Sequence, residues 1–76
     1  MNVEKALKEA IEILQKNSVA SAILDAKILI QHVSSLSRED IVFKASHLNL
    51  SEHQQKKFFD LIKQRAKKIP LTHLTN

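Results

Sequence analysis

The chain has 76 residues with a net charge of +4, 43% hydrophobic and 26% charged residues, one Pro, and neither Gly nor Cys. That length allows one domain with a small core, and the composition is too apolar for a disordered segment. The lack of Cys excludes a disulfide framework and a thiolate metal site. Without Gly, the tight turns that hairpins and sheets need have no natural residues, while helix formers dominate. The expected fold class is all-α, a small bundle of four to five helices. Apolar runs are no longer than Ile28–Ile30, too short to cross a membrane. The opening MNVEKALKEA lacks the basic-then-apolar layout of a signal peptide, so a cytoplasmic protein is expected.

Val3, Leu7, Ala10, Ile11 and Leu14 recur at helical spacing and predict a helix over 2–16, closed by Asn17 as a left-handed cap. Glu4–Lys8 and Glu12–Lys16 add pairs in the favourable order. Ser18 or Ser21 can cap a second helix, whose stripe is Ala22, Ala26, Leu29, Ile30 and Val33. Ser37, with Asp40 three residues on, starts a short third helix carrying Ile41, Val42 and Ala45 and ending near Ser46. Ser51 with Gln54 forms a capping box, and Leu50 stands at the staple position before it. The fourth helix is expected from Ser51 to Lys68, with Phe58, Leu61, Ile62, Arg65 and Ile69 on one side. Pro70 disfavours helical geometry at Ile69 and ends it. Residues 71–76 have room for one further turn.

Charge is uneven along the chain. Residues 1–50 balance, whereas Lys56, Lys57, Lys63, Arg65, Lys67 and Lys68 face only Glu52 and Asp60 in the C-terminal third. Lys56, Lys63 and Lys67 gather opposite the apolar side of the fourth helix, flanked by Lys57 and Lys68. Such a stripe is ordinarily a solvated helix face; its functional reading is a meeting surface for an acidic partner. Two Arg and no Tyr or Trp argue against nucleic acid, where base readout and stacking favour those residues. Arg65 lies in line with Phe58 and Ile62, and Asp25 sits at the edge of the second helix's stripe. A bridge between the two is geometrically open, and both are read as structural residues along with Pro70.

Catalytic constellations are absent from the sequence. With no Gly there is no loop to hold a nucleotide or adenosyl group. His32, His47, His53 and His73 fall on different segments, with no pair at i, i+4, so no metal site is expected. No catalytic, cofactor-binding or metal-binding residue is therefore assigned.

Two stretches, LDAKILIQHV and QRAKKIPLTHLTN, resemble the N-terminal domain of the HemK family, the release-factor glutamine methyltransferases. Asp25, Ala26, Leu29, Ile30, His32 and Val33 match the first pattern. Arg65, Pro70, Leu71, His73, Leu74 and Thr75 match the second, and Arg38 also fits. Lys68 and Asn76 stand where the family has glycines. The resemblance implies that residues 1–70 form a helical substrate-recognition domain and that 71–76 begin the linker to a methyltransferase domain outside these residues. In the family that second domain binds S-adenosylmethionine and methylates the Gly-Gly-Gln glutamine of class 1 peptide-chain release factors. The implied partners are a release factor and the chain's own methyltransferase domain, and the chain alone is expected to be no enzyme and to hold no cofactor. The alternative from the residues alone is a free-standing helical adaptor or a nucleic-acid-associated basic helical protein.

Overall fold

A computed structural model describes residues 1–75, and Asn76 lies outside the described residues. The described residues form five helices: α1 (Val3–Lys16), α2 (Ala22–Ser34), α3 (Arg38–Lys44), α4 (Glu52–Ala66) and α5 (Leu71–Leu74). Helices α1, α2 and α4 pack on one another, α3 leans on α2, and α5 leans on α4. The fold is the expected all-α bundle.

Helix α1 buries Val3, Ala6, Leu7, Ala10 and Leu14, one stripe at the 3.6-residue period. Its first N–H groups have no partners within the helix, and they find them elsewhere in two ways. The Asn2 side chain accepts from the Lys5 amide at 3.1 Å. Val3 and Glu4 donate instead to the carbonyls of Leu48 (2.9 Å) and Ala45 (3.1 Å). Leu50 N–H donates to the Met1 carbonyl at 2.7 Å, and Asn2 pairs with Asn49 in an isolated antiparallel bridge. The start of the chain is thus sewn to the α3–α4 connection.

The end of α1 differs from the sequence expectation. Asn17 is the cap residue but has φ −101°; the left-handed residue is Ser18, at φ 61°. Ser18 N–H donates to Gln15 and Val19 N–H to Leu14, the bond pair of a Schellman motif, in which the left-handed residue lies one place beyond the cap. Val19 and Leu14 are both buried, supplying its apolar contact. Asn17 uses its side-chain amide to donate to the Ile13 carbonyl at 2.8 Å.

Helix α4 repeats this ending. The Ser51–Gln54 capping box forms in both directions, and Phe58, Leu61 and Ile62 are buried. The helix stops at Ala66, short of the expected Lys68, because Lys68 is left-handed at φ 71°. Lys68 N–H donates to Arg65 and Ile69 N–H to Gln64, a second Schellman motif. Leu50 is buried, yet the staple position it faces within α4 is Gln55, so Leu50 packs in the common core. In α3, the Ser37 hydroxyl accepts from the Asp40 amide at 3.1 Å. The Asp40 carboxylate turns to Lys44, 3.9 Å away, and does not close a box. That helix ends at Lys44 rather than near Ser46. Beyond Pro70, α5 contributes Leu74 to the same core.

Candidate functional site

Asp25 joins α2 to α4. Its side chain is buried at 3% exposure, and Arg65 Nε donates to Oδ2 at 2.9 Å. The Ser21 hydroxyl donates to that same oxygen at 2.8 Å, so Ser21 stands at the N-cap position of α2 without its side chain capping a backbone amide. Arg65 also donates through Nη1 to the Ile69 carbonyl at 3.4 Å, tying the turn before Pro70 to the pair. A carboxylate taken from water needs such compensation. Among the described residues no buried side-chain polar atom lacks a hydrogen-bond partner. Asp25 and Arg65 therefore form a junction whose bonds all run within the chain, joining α2, α4 and the turn before Pro70.

The lysines of α4 lie apart from that junction. Lys56, Lys57, Lys63 and Lys67 are exposed, and none makes an ion pair among the described residues. Asp60, in their midst, accepts from Gln64 Nε2 at 2.8 Å instead of pairing with a lysine. Lys68 is differently placed: its ammonium donates to the Asn17 carbonyl at 2.6 Å, at the electronegative end of α1. The structure thus leaves four of the five lysines pointing into solvent and draws the fifth onto the neighbouring helix end. The four histidines are exposed, and no cluster among the described residues has the makings of a metal site.

A third surface has no counterpart among the sequence expectations. Between α2 and α3 lies an open groove of about 640 Å³, bordered by Ile23, Leu24, Lys27, Ile28, Arg38 and Val42. Ile23, Leu24 and Val42 are more than half exposed, and Phe43 next to Val42 is 78% exposed. The signal was present in the sequence. Ile23, Leu24 and Ile28 fall off the Ala22–Ala26–Leu29–Ile30 stripe, so α2 is apolar on both sides, and the second side is left partly open.

The geometry defines a class first: a small helical-bundle domain whose buried charges are closed on themselves and whose open features are surfaces. Comparison with known proteins defines the family. The chain belongs to the PrmC N-terminal domain family, whose model matches residues 5–75, in agreement with the resemblance carried by LDAKILIQHV and QRAKKIPLTHLTN. It is similar to a release factor glutamine methyltransferase of Deinococcus radiodurans, 29% identical over 75 residues that make up 99% of this chain. The chain spans 27% of that curated relative's length. No solved structure matches. Where the family pattern has glycine, Lys68 takes the left-handed conformation that glycine adopts freely, at a cost of about 1 kcal/mol; its ammonium bond to Asn17 offsets part of that. The second such position, Asn76, lies outside the described residues.

Proposed function

We propose that this chain is the substrate-recognition domain of an S-adenosylmethionine-dependent protein-(glutamine-N5) methyltransferase acting on the Gly-Gly-Gln glutamine of class 1 peptide-chain release factors. The observation that carries this reading is the family match over residues 5–75, with a relative named as a release factor glutamine methyltransferase. Labour is then divided between two domains. The methyltransferase domain, toward which residues 71–76 lead, binds the cofactor and performs the transfer. The helical bundle holds the release factor in place and transfers no methyl group alone, in keeping with a sequence that offers no glycine loop for an adenosyl group. A cytoplasmic setting follows from such a partner, and no helix of the described residues is long and apolar enough to cross a membrane.

Recognition by a separate domain raises the effective concentration of substrate at the reacting centre without touching the chemistry. Deleting residues 1–75 from the full-length enzyme is therefore expected to raise KM for the release factor at least tenfold while cofactor binding stays unchanged. An unchanged KM would contradict the proposal. The isolated chain should show no heat of S-adenosylmethionine binding by calorimetry; micromolar binding would overturn the division of labour.

A further inference from the structure

We propose that the groove between α2 and α3 is the docking site for an acidic amphipathic segment of a protein partner. The proposal deepens the recognition reading and rests on it only in taking the partner to be a protein. Two kinds of observation converge on this groove. The first is apolar exposure: Ile23 and Leu24 on one wall and Val42 on the other are 53–61% exposed. They are clustered, whereas isolated apolar residues on a surface are unremarkable and grouped ones mark contact sites. Behind them Ile28 is half-buried and Ile41 is buried, so the recess has an apolar floor that can accept inserted side chains.

The second observation is charge. Lys27 on α2 and Arg38 on α3 are the charged residues bordering the groove, and no carboxylate lines it. Neither cation makes an ion pair among the described residues. An apolar trough bordered by two unpaired cations selects a segment with apolar anchors at i, i+3 or i+4, and i+7, flanked by Asp or Glu. A second copy of this chain would set cation against cation across the same surface. An anionic bilayer shares the favourable sign of charge but presents a flat surface, which leaves the recess between the two helices unfilled.

The test uses two fluorescein-labelled 16-residue helical peptides with the same leucine stripe, one flanked by glutamates and the other by lysines. Binding is read by anisotropy against the whole chain. The glutamate peptide is expected to bind at least tenfold more tightly than the lysine peptide. Leu24→Glu should weaken it at least tenfold, and the Lys27→Glu, Arg38→Glu double variant should invert the preference between the peptides. All three positions are exposed, and circular dichroism confirms that each variant folds. Equal binding of the two peptides, or full affinity in both Leu24→Glu and the double variant, overturns the proposal. So does a sedimentation dimer that Leu24→Glu breaks, which makes the groove a self-interface. Co-sedimentation with 3:1 phosphatidylcholine–phosphatidylserine vesicles that Leu24→Glu abolishes makes it a lipid-binding face and overturns the proposal too. A release factor retained by the chain without any peptide preference retires the groove but not the proposed function. Peptide preference without release-factor retention does the reverse.

Discussion

Helix α2 presents two apolar faces that meet opposite fates. Its inner face, Ala22, Asp25, Ala26, Leu29 and Ile30, is buried against α1 and α4, and the one charge there is neutralised by Arg65 and hydrogen-bonded by Ser21. Its outer face, with Ile23, Leu24 and Lys27, stays open to solvent, and the cation there has no partner among the described residues. Burial demands that polar groups be satisfied within the chain, whereas an open surface can leave that task to another molecule. The contrast separates residues that hold the fold from residues available to a partner, although both groups read as hydrophobic in the sequence.

Truncation should expose the contrast most strongly. Leu29→Ala on the inner face is expected to cost about 3 kcal/mol, through lost burial and the cavity left behind. Leu24→Ala on the outer face should change stability by less than about 0.5 kcal/mol. A core of this size rarely supplies more than about 3–5 kcal/mol, so the first variant should be partly unfolded in a urea titration and the second indistinguishable from the parent. Equal losses would mean that the outer face is covered in solution.

The charged junction comes next. Asp25→Asn removes a buried anion and strands Arg65, at an expected cost of about 3 kcal/mol, the lower end for buried pairs because the Arg65 side chain keeps 20% exposure. Arg65→Met should cost a similar amount, and the double variant less than the sum of the two. Strictly additive losses in that cycle would show that the pair contributes nothing jointly.

A smaller effect of opposite sign is expected at the helix ends. Lys68→Gly relieves a left-handed conformation and should stabilise by up to about 1 kcal/mol, reduced by loss of the ammonium bond to Asn17. In a domain of this size a full 1 kcal/mol corresponds to a rise in Tm of about 4–8 °C. Lys68→Ala loses the same bond without gaining that freedom, so its Tm should fall. A Tm for Lys68→Gly at or below that of Lys68→Ala would contradict the left-handed assignment.

The least change is expected at the α4 stripe. Reversing Lys56, Lys63 and Lys67 together to Glu should leave stability within about 0.5 kcal/mol. It should slow release-factor association a few-fold at low salt and flatten its salt dependence, since rim charges act mainly on encounter. Unchanged rates by stopped flow, with the variant folded, would remove this face from the contact.

Much of the bundle was legible because its signals are local. The capping box at Ser51 and Gln54 and the stripes of α1 and α4 each lie within a few residues of what they determine. Three features were not. The amides of Val3 and Glu4 are satisfied by Leu48 and Ala45, partners that no local pattern in the first helix names. The left-handed residues Ser18 and Lys68 are polar positions without glycine to mark them, so the turn falls one residue beyond the expected Asn17 and the fourth helix ends short of the expected Lys68. The α2–α3 groove was missed for a third reason: the helical period sorts residues into faces, but which apolar face is covered depends on where the short α3 comes to rest. Nothing local to α2 records that.

On the proposed reading, the inner face of α2 holds the fold while its outer face meets the partner. A titration of the ¹⁵N-labelled chain with a class 1 release factor, read as backbone amide shifts, tests it most directly. Shifts are expected at Ile23, Leu24, Lys27, Arg38 and Val42, with weaker ones along Lys56, Lys63 and Lys67, while Ala6 and Ala10 in the buried stripe of α1 stay put. No shift at saturating release factor, or shifts that spare Ile23, Leu24, Lys27, Arg38 and Val42, would contradict the claim.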